Sequence, residues 1–334
     1  MSSTGAIGLR VGIVGCGLIG HKRAEALGSD QLVACYDIVA DRAALLASEH
    51  GGQACASLEE LLARDLDVVI VATTHSELAE TTCAALAAGA HVLVEKPAGI
   101  GVADVDRVAN SAEQNGRLVK VGFNHRFHPG IARAVTEARA GIYGDVFYLR
   151  GRYGHGGRLG YEGEWRADPS RSGGGEIVDQ GMHLLDLSHW LLGELPVHSS
   201  LLRTQFWDAP VDDNAVLVLG EHGGVGSTEP FALLHVSWTE WKNTFSLEIA
   251  CRDAKLAVDG LARSYGAQQL RIYRMRPELG PPDVEEVRYP DRDSSWEREW
   301  QHFSGAISTR DGRPLLGDLA SARYAWTCVE KAQM

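Results

Sequence analysis

The apolar run Val92-Leu93-Val94 ends in Glu95-Lys96-Pro97, which sets a carboxylate, an ammonium and a residue without an N–H side by side. In open parallel α/β sheets ligands bind beyond the carboxyl ends of the strands, so a lysine released there reaches the place where chemistry occurs. Pro97 has a fixed φ and cannot donate to a ladder; it stops the strand and restricts the lysine. Such an ammonium can donate to a reacting oxygen and stabilise a developing alkoxide. Taken alone, the triplet reads equally as a solvated Glu–Lys pair at a strand end.

A second constellation is Gly173-Gly174-Gly175-Glu176-Ile177-Val178-Asp179-Gln180-Gly181-Met182-His183. Asp179 and His183 are four apart and, on one helix running from about Glu176 to Leu192, share a face. A carboxylate there can orient an imidazole that accepts a hydroxyl proton near neutral pH. Asp186, on the same face, is a further candidate to orient His183, and a structural Asp–His hydrogen bond is the alternative role for the pair. Asp179, His183 and His189 do not have the spacing of a metal-ligand cluster, so no metal is expected.

The third is Gly15-Cys16-Gly17-Leu18-Ile19-Gly20, a G-x-G-x-x-G turn between a strand and a helix. Its glycines permit a tight turn and close approach of backbone to a pyrophosphate, which the helix N-terminus then meets with unpaired N–H groups. Asp37 follows 22 residues after Gly15, at the end of the next strand. An acid there bonds a ribose 2′-hydroxyl and repels a 2′-phosphate. Ile38 and Val39 bring no cation, and Arg42 is a helical turn away, which favours NAD over NADP. Asp37 is also a candidate N-cap for the helix after it.

These groups must be positioned by a chain of 334 residues, long enough for two domains with full cores. Candidate strands 10–14, 32–37, 67–72, 91–94 and 118–122 alternate with Ala-rich helical stretches at 18–27, 38–50, 76–88 and 102–115. That alternation predicts a doubly wound parallel sheet over residues 1–122. Residues 123–334 change texture. A helix at 129–140, a strand at 145–152 and a Gly/Arg-rich loop precede closely spaced strands, which predict an α/β domain with a mainly antiparallel open sheet. Pro277–Asp293, rich in proline and acid, reads as a surface loop. Two helices close the chain, the last expected to pack back on the first domain.

The net charge of −12 argues against a nucleic-acid or anionic-membrane partner and suits a cationic substrate. The six cysteines lack CxxC spacing, and several sit in apolar runs, as reduced thiols do. With no basic leader and no apolar run near the roughly 18 residues of a membrane span, a cytoplasmic location is expected.

The glycine turn with its acidic partner, Glu95-Lys96-Pro97, the Gly-Gly-Gly-x-x-x-Asp-x-Gly-x-His-x-x-Asp helix and Gly122-Phe123-Asn124-His125-Arg126-Phe127 at the domain junction occur in that order. Together they resemble the glucose–fructose oxidoreductase/inositol dehydrogenase/MocA family over nearly the whole chain. The resemblance implies an NAD-dependent dehydrogenase that oxidises a secondary hydroxyl of a sugar, nucleotide sugar, aminosugar or cyclitol. It also implies a homodimer or homotetramer, often formed through the open sheet. Lys96, Asp179 and His183 would be the catalytic set, with His183 or Lys96 as base. Gly15, Gly17, Leu18, Ile19, Gly20, Asp37, Thr73, Glu95 and Lys96 would hold the cofactor. The chain departs from the family at Thr73-Thr74-His75-Ser76-Glu77-Leu78, where many members carry Thr-Pro-Asn-x-x-His. The reverse ketosugar reductase and a non-catalytic dinucleotide-sensing regulator are the rival expectations.

Asn124, Arg126, Arg152, Arg158 and Arg166 are the candidate substrate-binding residues. The arginines of the 150–171 loop suit phosphate or carboxylate, or else pair with Glu162, Glu164 and Asp168. Trp238, Trp241, Trp296 and Trp300 are candidates for a sugar-stacking platform or for core packing.

Overall fold

Short Val/Ile/Cys-rich runs alternate with alanine-rich helices in the first third, and each run becomes a buried strand. The computed structural model describes residues 8–278, 280–309 and 315–334. Its first elements are β1 (Arg10–Val14), α1 (Leu18–Glu25), β2 (Gln31–Tyr36), α2 (Ala40–His50), β3 (Gln53–Ala54), α3 (Leu58–Leu62), β4 (Val68–Val71), α4 (His75–Ala87), β5 (His91–Glu95), α5 (Val102–Asn115) and β6 (Val119–Gly122). The sheet order is β3-β2-β1-β4-β5-β6, parallel throughout. The chain reverses direction across the sheet between β1 and β4, where such sheets open a crevice beyond their carboxyl ends. The glycine turn follows β1, Asp37 follows β2, Thr73 follows β4, and Lys96 follows β5.

The remainder comprises α6 (Pro129–Arg139), β7 (Val146–Gly154), α7 (Pro169–Ser172), α8 (Glu176–Asp179), α9 (Gly181–Leu192), β8 (Val197–Arg203), β9 (Asn214–Leu219), β10 (Phe231–Ser237), β11 (Thr244–Cys251), β12 (Ala254–Asp259), β13 (Gln269–Arg274), β14 (Asp283–Arg288), α10 (Ser295–Thr309) and α11 (Leu319–Ala332). Its eight strands run in the order β14-β13-β12-β11-β7-β10-β9-β8, with β7 and β10 parallel and every other pair antiparallel. Helices α6, α8 and α9 pack on one face. Phe231, Leu233 and Leu201 stand exposed on the sheet, beside ion pairs Arg150–Glu248–Lys255 and Arg271–Asp259.

Two differences from the sequence reading have clear causes. The segment expected to be a loop holds β14, whose Asp-Val-Glu-Glu-Val-Arg shows no apolar alternation and carries mostly polar side chains because it is a solvent-facing edge. The chain also divides into two compact units, Met1–Gly122 with Trp296–Leu319, and Phe123–Ser295 with Ala320–Met334. The penultimate helix therefore belongs to the first unit, and the last one does not. Trp300, Phe303 and Ile307 of α10 enter the core formed by Val11, Ile13, Val68, Ile70 and Leu93. Each such side chain contributes roughly 1.5–3 kcal/mol when removed from water, which fixes α10 there. Tyr324 of α11 instead brackets Leu195, accepting from its N–H at 3.1 Å and donating to its carbonyl at 2.9 Å.

Candidate active site

In the first unit the turn after β1 is shaped by close backbone approach. Gly15 has φ +93°, and a Cβ on it would lie 2.4 Å from the Ala72 carbonyl oxygen and 2.9 Å from the Thr73 nitrogen. A Cβ at Gly20 would strike the Gly15 oxygen at 2.2 Å, whereas at Gly17, the N-cap of α1, it would meet nothing within 4 Å. The backbone is thus closed behind the turn and open in front of it, as a pyrophosphate cradle needs. Thr73 lies against this turn, with its Oγ1 donating to the Thr74 carbonyl at 3.3 Å.

Asp37 braces the turn. Its Oδ2 accepts from Cys16 N at 2.8 Å and its Oδ1 from Val39 N at 2.8 Å. Helix α2 starts at Ala40 with Val39 as its N-cap, so Asp37 does not cap it. Leu18 and Ile38, 74% and 87% exposed, present apolar surface at the ends of β1 and β2, suited to an aromatic base.

Glu95 turns inward rather than to solvent. Its Oε1 accepts from Arg23 Nε at 2.7 Å, and Arg23 also donates from Nη1 to Glu299 at 2.7 Å. Lys120 Nζ completes the network with Glu299 Oε1 at 2.7 Å, all four groups being buried. Burial raises the Glu95 carboxyl pKa. Burial alone would raise that of Glu299 too, but Lys120 and Arg23 hold it below the ordinary carboxylate range. At the end of β5, Ala98 N donates to the Glu95 carbonyl at 3.0 Å, closing the tight Glu95–Ala98 turn that carries Lys96.

In the second unit the helix expected to run unbroken is two. Gln180 is the C-cap of α8 and the N-cap of α9, with Gly181 following and its own Nε2 donating to Tyr265 Oη at 3.1 Å. Asp179 and His183 stand on either side of that interruption. Upstream, Gly175 is pressed on Asp212, where a Cβ would lie 2.0 Å from the carbonyl oxygen. The Asp212 carboxylate accepts from Gly175 N at 3.1 Å and Ile177 N at 2.8 Å. Burial nevertheless pushes its pKa up to about 6.

Asp179 Oδ2 accepts from Arg166 Nε at 3.1 Å. His183 is buried and stacks on His125, centroids 3.8 Å apart and planes at 28°. Tyr153 lies 5.1 Å from His125 and 6.1 Å from His183, with Tyr265 5.4 Å beyond. Burial holds the phenols of Tyr153 and Tyr265 protonated, raising Tyr265 to about 12.

The donor atoms of His155, Glu176 and Asp179 lie within 4.8 Å of one another. His155 Nδ1 accepts from Gly157 N at 2.9 Å, and burial lowers the pKa of its imidazole, so the neutral ring carries its hydrogen on Nε2. That arrangement suits hydrogen bonding better than metal ligation, which would need the Nε2 lone pair. The sequence reading missed Glu176, fully buried, and His125; an acid in the first turn after three glycines was the available signal for Glu176.

The predicted substrate residues are dispersed. Arg126 is buried in a two-bond pair with Asp186 and also donates to Ser321 Oγ at 3.0 Å. Asn124 is buried, its Nδ2 donating to Ser295 Oγ at 2.9 Å. Arg152 pairs with Glu240, its Nε lying 3.0 Å from Oε1. Arg158, 75% exposed, pairs with Glu164 at 2.5 Å. Only Arg166 of the five is bonded to a candidate catalytic residue. Trp238 and Trp300 are core residues, Trp241 is 62% exposed, and Trp296 lies under Lys22 and Arg23.

A doubly wound sheet with a glycine turn, joined to a second unit presenting an Asp–His pair, defines a two-domain dinucleotide-binding protein. Residues 9–123 match the oxidoreductase family with an NAD-binding Rossmann fold, and residues 131–257 match the GFO/IDH/MocA C-terminal domain. The chain belongs to this glucose–fructose oxidoreductase/inositol dehydrogenase/MocA family. It is 30% identical to inositol 2-dehydrogenase of Salmonella paratyphi B over 59% of this chain and 60% of that one. It is 28% identical to the rhizopine catabolism protein MocA of Rhizobium meliloti over 69% and 74%. Among solved structures, UDP-N-acetylglucosamine 3-dehydrogenase GnnA from Acidithiobacillus ferrooxidans superposes with a TM-score of 0.80 at 25% identity, covering 98% of this chain and 97% of that one. The sequence match thus spans about 60% of the length of the inositol 2-dehydrogenase.

Proposed function

We propose that this chain is an NAD-dependent dehydrogenase that oxidises a secondary hydroxyl of a sugar-like or cyclitol substrate to a ketone. The observation that carries the proposal is the buried His183, four residues after Asp179 across the Gln180 break, in a family whose relatives are named as dehydrogenases of inositol and of a nucleotide sugar. Gly15, Gly17, Leu18, Ile19, Gly20, Asp37 and Thr73 would hold the cofactor, which the open front of the turn and the exposed Leu18 and Ile38 fit. NAD, when bound, supplies the hydride acceptor. The Asp37 carboxylate beside the turn disfavours a 2′-phosphate.

His183 accepts the hydroxyl proton, because an imidazole exchanges protons near neutral pH. Lys96 donates to the same oxygen as negative charge develops on it. Asp179, anchored by Arg166, orients the base or fixes an adjacent hydroxyl. Arg126 and Asn124 act on the architecture around His183, Arg152 ties strand β7 to Glu240, and Arg158 braces its loop through Glu164. The exposed Leu201, Phe231 and Leu233 support self-association through the second sheet, which sedimentation analysis would read as a dimer or tetramer.

The test is cofactor reduction by purified protein across polyols, free sugars, nucleotide sugars and aminoglycosides. Turnover with at least one substrate is expected, and His183→Ala and Lys96→Ala should each remove most of it while NAD still binds. No reduction across the panel, or unaltered turnover in both variants, overturns the reading.

A further inference from the structure

Asp293 anchors a chain of hydrogen bonds that ends in the histidine cluster of the second unit. Ser295 Oγ donates to Asp293 Oδ1 at 2.6 Å, and Asn124 Nδ2 donates to Ser295 Oγ at 2.9 Å. With its amide so oriented, Asn124 presents Oδ1, which can only accept, to His125 Nδ1 at 3.2 Å. Nδ1 of His125 therefore bears hydrogen, and in the neutral ring Nε2 is the basic nitrogen. That ring is the one stacked on His183 at 3.8 Å.

The physics of the stack is asymmetric. An imidazolium lying on a neutral imidazole gains from the ring's π density. Two imidazoliums at that spacing, shielded from water, repel strongly. Protons on such a pair come on in two macroscopic steps that belong to the pair and not to either ring.

We propose that His125 and His183 form one acid–base unit that holds a single proton, with His125 as the positioning residue that stabilises the imidazolium formed on His183. The inference rests on the assignment of His183 as base. The step is a proton transfer alone: the substrate O–H bond breaks, an N–H bond forms on the imidazole, and the proton later passes to water.

The groups around the pair fit one added positive charge. His128 lies 5.4 Å from His125 and its Nε2 is 3.8 Å from Asp293. Asp186 is neutralised by Arg126, and Asp179 is paired with Arg166. Tyr153 and Tyr265 stay protonated, and Phe123 and Phe245 are apolar. Glu176 on α8 is a further buried carboxylate of this unit, and Lys96 is the cation that the proposed mechanism brings to the same oxygen.

Histidine-selective ¹⁵N labelling of the full-length protein, followed by two-bond ¹H–¹⁵N spectra from pH 5 to 9, tests this directly. Both rings should respond together to one protonation, and His125 should show hydrogen on Nδ1 throughout. In His125→Leu, which removes the π face, His183 should titrate alone with its proton affinity lowered by at least about threefold, half a pH unit. If that variant fails to fold, Asn124→Ala serves: it removes the acceptor that fixes hydrogen on His125 Nδ1, so His125 should lose its single tautomer and the shared protonation should shift. With a substrate that turns over, the acid limb of kcat/KM should move by the same amount while NAD affinity is unchanged. Two independent curves in the wild type, or a His183 curve unmoved by the variants, overturns the proposal. Failure of the base assignment looks different: coupled curves persist while His183→Ala retains turnover.

Discussion

Arg126 grips Asp186 through two parallel bonds, Nε to Oδ2 at 2.8 Å and Nη2 to Oδ1 at 2.7 Å, with neither side chain open to solvent. The pair ties the turn that carries His125 to the helix that carries His183. A buried ion pair adds little over an apolar pair of similar volume, but removing one partner strands a charge. Arg126→Leu should therefore cost about 3–5 kcal/mol in urea unfolding. The double variant with Asp186→Leu should lose less than half as much. Equal losses would show that the two charges do not act as a unit.

Asp37 accepts from the backbone of the nucleotide turn and is the proposed acceptor for a ribose hydroxyl. A hydrogen bond to a charged group contributes about 1.5–3 kcal/mol. Asp37→Ala should accordingly weaken NAD⁺ binding roughly 10- to 100-fold by calorimetry and narrow the preference over NADP⁺. Turnover with NADP⁺ comparable to that with NAD⁺ in the unaltered protein would remove the basis for this prediction.

Asp212 gives a pH dependence of defined sign. Burial pushes its pKa from the ordinary carboxylate range up to about 6, so the folded protein binds its proton more tightly than the unfolded chain. Stability from this group is therefore present at low pH and is lost as pH rises from about 4 through about 6, by up to roughly 3 kcal/mol. Asp212→Asn should abolish that slope in urea titrations at pH 4.5, 5.5 and 7, though it also gives up one of the two backbone bonds. A variant that keeps the wild-type slope would place the titration elsewhere.

The Arg158–Glu164 pair is exposed on the arginine side, and such pairs contribute about 0–1 kcal/mol. Arg158→Ala should leave thermal stability within about half a kcal/mol and change KM less than threefold. A tenfold or larger rise in KM would return Arg158 to the substrate. Arg166→Ala should instead lower kcat, because it releases Asp179.

What could be read from the sequence was local. The turn at Gly15 and the stop at Pro97 are dictated by residues within a few positions; β1 begins and ends with its apolar run, and β9, β11 and β13 with their apolar alternation. Strand β14 was hidden because an edge strand needs no hydrophobic marking. The break at Gln180 was hidden because a glycine inside a helical pattern is tolerated as often as it interrupts. Most opaque were the ion pairs: Arg23 finds Glu299 across 276 positions, and no periodicity reports such a partner. For the same reason the pairing of Arg126 with Asp186, 60 positions apart, was not legible in the sequence.

The four-membered network of Arg23, Glu95, Lys120 and Glu299 carries a consequence for biosynthesis. The nucleotide-binding unit is not contiguous: buried Lys120 takes its carboxylate, and Arg23 the second of its two, from Glu299 near the far end of the chain. While a ribosome is still making the second unit, the first has Lys120 and Arg23 in place without Glu299, and its core lacks Trp300 and Phe303. All six strands of the sheet have been made by Gly122, but the core beneath them stays open on the α10 side for well over a hundred residues of elongation. A gene fragment ending at Gly122 would yield an incomplete unit and not a portable NAD module.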